Sequence, residues 1–121
     1  MADTAKNSIV LNLAKLVEEH NGEETVVLDI SEQSSWTDFF IIATVNSQAR
    51  MRGIIRYVNG YLSDLSIEPL HRHKHVSEDG WTLIDCGNFV IHLMTSEIRE
   101  FYDLERLWYS GKVLYQSSKS S

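Results

Sequence analysis

The side chains best able to do chemistry in this 121-residue chain are three alternating histidines, a lone cysteine beside an aspartate, and a short run of basic residues. His71, His73 and His75 would point to one face of an extended strand, because successive side chains on a strand alternate. Three imidazoles on one side could take Zn or Ni, but Arg72 and Lys74 interleave with them and repel a cation. No Cys or carboxylate at fixed spacing completes the set, so the expectation is no metal site and a charged strand of the kind that blocks sheet extension. Cys86 follows Asp85, and an adjacent anion opposes the thiolate that a nucleophile needs. Arg52 and Arg56, four apart, share a helical face. With Arg50, Arg72 and Lys74 they could contact nucleic-acid phosphate, although a solvated helix face explains the same pattern.

Enzyme signatures are missing. There is no G-x-G-x-x-G, Gly111-Lys112 lacks the rest of a P-loop, and no G-x-S-x-G presents a serine. The acid pairs Glu18-Glu19, Glu23-Glu24 and Glu78-Asp79 fall where solvated turns and helix faces are expected. No catalytic residue and no cofactor is expected. His92 alternates with Val90 and Met94 and reads as a hydrogen-bonded histidine on a sheet. Trp81, Tyr102 and Trp108 are aromatics of the type enriched at interface hot spots, and each would serve equally well in a core.

These side chains need a scaffold, and the length fits one domain. With 43% hydrophobic and 23% charged residues, one Pro and six Gly, the composition is that of an ordinary globular protein. The net charge of -6 weakens non-specific attraction to nucleic acid. The charge is uneven: Arg50, Arg52, Arg56, Arg72 and Lys74 are interrupted only by Asp64 and Glu68. A single cysteine cannot form an internal disulfide, so no oxidising compartment is needed. The longest apolar run, residues 39–43, is far short of the ~18 residues a membrane span requires. The first residues lack the pattern of a signal or transit peptide, which makes the bacterial cytoplasm the expected location.

Ile9, Val10, Leu13, Leu16 and Val17 recur at helical spacing before Asn21-Gly22. Residues 25–30 and 39–44 suit strands, the second buried on both faces. Asn46 or Ser47 can cap a second helix with the stripe Met51, Ile54, Ile55, Val58, Leu62 and Leu65. Gly53 and Gly60 weaken that helix, each by up to about 1 kcal/mol against Ala, and close approach of a neighbouring backbone would explain them. After Pro69 an extended segment runs over 70–75. Strands then follow over 81–85 and 89–94, joined at Gly87-Asn88. Thr95 or Ser96 caps a last helix that Gly111 closes. The domain is expected over 1–110, with a flexible tail over 111–121. The fold class is α/β (α+β): a mixed sheet of about five strands packed by helices.

Three stretches carry a resemblance. They are Asp38-Phe39-Phe40-Ile41-Ile42-Ala43-Thr44, then Trp81-x-Leu83-Ile84-Asp85-x-Gly87-Asn88-x-Val90-Ile91-His92, then Arg99-Glu100-Phe101-Tyr102-Asp103-Leu104-Glu105-Arg106-Leu107-Trp108. In this order and spacing the chain closely resembles the ribosomal silencing factor (Iojap-like) family. The resemblance implies a single nucleotidyltransferase-like domain without the catalytic apparatus. It also implies a non-enzymatic factor that binds the large ribosomal subunit through ribosomal protein L-fourteen, blocks joining of the small subunit and represses translation when nutrients are scarce. Some members form homodimers. The partner-binding residues that match the family motifs are Trp81, Asp85, Asn88, His92, Tyr102, Asp103 and Arg106, while the charge pattern, not the resemblance, offers Arg52, Arg56, Arg72 and Lys74 as facing rRNA. Two departures stand out: His-Arg-His-Lys-His over 71–75 replaces an acidic Glu-Gly common among relatives, and 45–50 replaces Gly-x-Ser-x-x-Gln. The alternative is a nucleotide- or metal-dependent enzyme on the same scaffold, against which the lack of carboxylates to accompany Asp85 speaks.

Overall fold

The two most continuously apolar segments of the chain become its central strands. A computed structural model describes residues 4–35, 37–70, 80–107 and 111–117. The elements run α1 (Thr4–Glu19), β1 (Glu23–Asp29), β2 (Phe39–Thr44), α2 (Gln48–Asp64), β3 (Trp81–Asp85), β4 (Phe89–Met94), α3 (Ser96–Tyr102), α4 (Leu104–Leu107) and β5 (Lys112–Gln116). β2 and β4 are buried at every position and pair in parallel, Phe39 opposite Phe89 through Thr44 opposite Met94. Fully covered parallel strands cannot alternate with polar residues, which is why β2 reads as a nearly continuous apolar run and β4 is interrupted only by His92. The sheet order is β3-β4-β2-β1-β5, and every other pairing is antiparallel.

One face of this sheet holds the larger core. Val10, Leu13, Ala14 and Val17 of α1 and Met51, Ile54, Ile55, Val58 and Leu62 of α2 close over Val27, Ile41, Ala43, Ile91 and Leu93. Thr82 Oγ1 donates to Met51 Sδ at 3.0 Å and ties β3 to α2. Ser47 caps α2, its hydroxyl accepting from the Arg50 amide at 3.3 Å. At the end of α1, Asn21 takes a positive φ of 77° and the Gly22 amide donates back to the Val17 carbonyl at 2.8 Å. A Cβ on Gly22 would lie 2.9 Å from that carbonyl oxygen, so only glycine fits.

The opposite face carries a smaller core of Val26, Leu28, Ile30, Phe40, Ile42, Val90 and Met94, against which Trp81, Leu83, Ile98 and Leu104 pack. Because side chains alternate, the same strands feed both cores.

Four expectations change or fall away. The stretch from 111 on is not a tail throughout: β5 pairs with β1, Asp29 opposite Lys112 through Val26 opposite Gln116. Its apolar residues Leu114 and Tyr115 pack on the larger core. The last helix is broken rather than continuous, because Asp103 adopts the left-handed conformation (φ 47°, ψ 55°) and ends α3. Gly53 and Gly60 meet no neighbouring backbone, since a Cβ at either would find nothing within 4 Å. Of the proposed strand over 70–75 only Leu70 is described, its amide donating to the Asp85 carbonyl at 2.7 Å; the histidines at 71, 73 and 75, with Arg72, Lys74 and Trp108, lie outside the described residues.

Candidate partner-binding surface

The smaller core thins towards α3 into a file of aromatic rings. Trp81 opens β3 opposite Met94, and His92 stands opposite Leu83 on the neighbouring strand. The Trp81 indole N–H donates to His92 Nδ1 at 3.2 Å. The Phe40 ring meets His92 edge to face at 4.5 Å, and Tyr102 lies 4.8 Å from Trp81. Phe101 packs edge to face on Tyr102 at 4.9 Å. Exposure climbs along the file: His92 is 3% exposed, Tyr102 47% and Phe101 79%.

Burial decides the chemistry of His92. An indole N–H can only donate, so Nδ1 must be the unprotonated nitrogen and the neutral ring carries its hydrogen on Nε2. That buried Nε2 has no hydrogen-bond partner among the described residues. Loss of hydration lowers the histidine pKa to about 4. His92 is therefore an uncharged packing residue at neutral pH, inside the sheet rather than at its surface.

α3 is held in place from both ends. The Thr95 hydroxyl caps it by accepting from the Ile98 amide at 3.3 Å, and the Thr95 amide donates to the Gly80 carbonyl at 3.0 Å. Gly80 has φ 87°, and a Cβ there would lie 2.9 Å from the Thr95 methyl. Asn46 Oδ1 accepts from the Ser96 amide at 2.8 Å. Buried Arg99 is the main clamp, its Nη1 donating to the Glu24 carbonyl at 2.6 Å and to Thr44 Oγ1 at 3.0 Å. Beside it a cavity of about 330 Å³ is lined by Glu24, Thr44, Arg99, Glu100 and Asp103 among others. At the far end the Asp103 amide donates to the Arg99 carbonyl at 2.8 Å. Asp tolerates the left-handed conformation better than most residues, which suits it to this stop.

The structure divides the residues expected at the site. Trp81, His92 and Tyr102 come together in the aromatic file, Asp103 ends the helix that carries Tyr102, and Arg106 is exposed on α4. Asp85 and Asn88 sit at the other end of β3, about 13 Å away at the rise of a strand. There Asp85 Oδ1 accepts from the Gly87 amide at 2.9 Å, while the Asn88 carbonyl accepts from the Asp38 amide at 2.9 Å. Both shape the turn. Burial, with Asp85 adding to it, pushes the Cys86 thiol up to about 11, the opposite of an activated nucleophile. Among the described residues no group of three His, Cys, Asp or Glu is arranged to hold a metal ion. Arg52 and Arg56 are exposed on α2, across the sheet from the aromatic file.

Two residues were missed as individuals. Phe101 is the most exposed large apolar side chain of those described. Three consecutive large residues, Glu100-Phe101-Tyr102, cannot all face a core from one short helix, and that was its signal. Arg99 gave a weaker hint, as a lone cation between Glu97 and Glu100 near a helix start, where the dipole disfavours positive charge.

Among known proteins, residues 2–120 match the family model described as "Ribosomal silencing factor during starvation". The chain is 32% identical over 103 residues to the ribosomal silencing factor of Treponema pallidum, covering 84% of this chain and 91% of that protein. It is 30% identical over 98 residues to the mouse mitochondrial assembly of ribosomal large subunit protein 1, covering 79% of this chain but 43% of that longer one. A crystal structure of a Chromobacterium violaceum protein superposes with a TM-score of 0.75 at 25% identity, covering 94% of each chain.

Proposed function

The chain belongs to the ribosomal silencing factor family, and on that premise we propose that it binds the large ribosomal subunit through ribosomal protein L-fourteen, blocks association with the small subunit and so represses translation under nutrient limitation. The bacterial cytoplasm is its place of action. No helix among the described residues is long and apolar enough to cross a membrane, which is compatible with that setting. No bond is made or broken in this reading. A bound protein needs only to occupy the space into which the small subunit would dock.

One observation carries the proposal: the file from buried His92 through Trp81 and Tyr102 ends in Phe101, exposed at 79% on a helix fixed by Arg99. Rings that are rigidly backed yet exposed at the tip lose little conformational freedom on binding, and such aromatics dominate interface energetics. Exposed Glu97, Glu100 and Asp103 surround them, and this negative rim would steer the surface towards a basic ribosomal protein. His92 supports the file from beneath. Asp85 and Asn88 would contribute only if the interface extends along β3 to the hairpin turn. A homodimer formed through the same apolar rings would compete with this docking.

Cosedimentation with isolated large subunits, paired with light scattering of subunit joining, tests this. Wild-type protein should pellet with the subunit and slow joining, whereas Phe101→Ser combined with Tyr102→Ser should lose both effects while remaining folded. Joining that proceeds at the same rate with saturating wild-type protein would sink the reading.

A further inference from the structure

α2 presents a second charged surface that aromatic docking leaves unused. From Phe39 to Ser63 the chain contains no Asp or Glu, although it carries 17 acids in all. Within that span Arg50, Arg52 and Arg56 are all exposed on α2, and among the described residues none of the three guanidinium groups has a carboxylate partner. Exposed arginines in a protein of net charge -6 would ordinarily find acids nearby. Apart from exposed Asp64 at the C-terminal end of α2, the acids gather elsewhere, with Glu18, Glu23 and Glu24 around the α1–β1 turn and Glu97, Glu100 and Asp103 around α3.

The relief of the same face is equally specific. Met51, Ile54, Ile55, Val58 and Leu62 define the buried side of α2, so the outward crest at helical spacing falls on Ala49, Gly53, Arg56 and Gly60 and ends at Asp64 in the last turn. Added Cβ atoms on Gly53 and Gly60 would meet nothing within 4 Å, so internal packing does not account for either glycine. Arg52 flanks this low crest on one side, and Arg50 and Tyr57 flank it on the other. Tyr57, 53% exposed, stacks on His20 with ring centroids 3.7 Å apart and is braced as a flat wall.

We propose that the outer face of α2 binds the sugar–phosphate backbone of a helical RNA, with Arg50, Arg52 and Arg56 on phosphates and the glycine crest admitting the backbone close to the helix. Guanidinium forks match phosphate oxygens in pairs. A smooth helix face with cations at its margins reads shape and charge rather than base sequence, which is how helical RNA is mostly recognised. An anionic membrane fits less well, because an interfacial helix needs an exposed apolar side to enter the bilayer and the apolar side of α2 is buried in the core. The choice of RNA over other phosphate polymers rests on the ribosomal reading above. The two faces act together: docking through the aromatic file would hold α2 near rRNA at high effective concentration, offsetting the unfavourable net charge.

Fluorescence anisotropy with a labelled RNA duplex of about 20 base pairs at low salt provides the test. Wild-type protein should bind, with log affinity falling against log salt at a slope of about two to three for three phosphates. Replacing Arg50, Arg52 and Arg56 together by Gln should weaken binding at least tenfold and bring the slope below one. Gly60→Gln should raise the melting temperature, because it improves helix propensity in open space, yet weaken RNA binding; a merely solvated face would show the first effect without the second. The Phe101→Ser, Tyr102→Ser variant should keep duplex binding while losing the large subunit, which separates failure of one reading from failure of the other. Absence of wild-type binding, or identical binding by the triple Gln variant, would overturn the proposal. So would arginine-dependent binding to phosphatidylglycerol vesicles without binding to RNA.

Discussion

The two faces of the sheet draw on the same strands and are covered very differently. α1 and α2, of 16 and 17 residues, seal one face. α3 and α4, of seven and four residues, rest on the other and carry Tyr102 and Phe101 out into solvent. Apolar area buried under long helices stabilises the fold roughly in proportion to that area, so the first face holds the domain together. The second gives up part of that gain and leaves Tyr102 and Phe101 exposed, as the proposed docking requires. In the proposed reading the ribosomal-protein contact falls on the thinly covered side, so substitutions in the larger core should cost stability and those at the aromatic tip should cost docking.

The largest effect is expected beneath the long helices. Ile91→Ala, at a fully buried position of the larger core, should cost about 2–5 kcal/mol in urea unfolding, and a cost below about 1 kcal/mol would mean the sealed face is less tightly packed than it looks. Next comes the pH response of the thinner face. His92 has a folded pKa of about 4 against an ordinary 6.5, so between those values the unfolded chain takes a proton that the native state refuses. Its contribution is complete above pH 6.5 and lost as pH falls towards 4, by up to about 3 kcal/mol. His92→Phe should flatten the stability profile in that window, and an unchanged profile would show that another group is responsible.

Arg99→Met should be milder, at about 1–3 kcal/mol, because it strips a donor from the Glu24 carbonyl and the Thr44 hydroxyl. Hydrogen exchange should then quicken in α3 while α1 and α2 stay protected; uniform quickening would erase the division between the faces. The smallest change in stability belongs to Phe101→Ser, within about 0.5 kcal/mol, even though the same substitution is aimed at partner binding. A large loss of stability there would move Phe101 from the recognition side to the structural one.

Local pattern made much of this legible. The apolar run that became β2, the stripe of α2 and the hairpin at Gly87-Asn88 that joins β3 to β4 each declare themselves within about a dozen residues. β5 did not, because Lys112–Gln116 is short, partly polar and next to a Ser-rich stretch, and its partner β1 lies more than 80 residues earlier. Pairing at that distance leaves no periodicity to read. The break at Asp103 was hidden for a related reason: the helical pattern continues through it, and only the docked geometry of α3 requires a left-handed residue there. At the candidate site the residue types were readable and their grouping was not. Asp85 and His92 look like neighbours in one stretch of sequence, yet one shapes a turn and the other, opposite Leu83 in mid-strand, backs an aromatic file that leads away from that turn through Trp81.

The pairing of β1 with β5 also sets an order of events during synthesis. At typical translation rates of 5–20 residues per second, about 4–17 s separate completion of β1 from the arrival of Lys112. Throughout that interval β1 has an unpaired outer edge, the kind of surface on which nascent chains stick to one another. Glu23, Glu24 and Asp29 stand at its two ends, placing like charges where another strand would have to begin its approach. Like charges at both ends of this edge would raise the cost of pairing with a second nascent chain until β5 arrives.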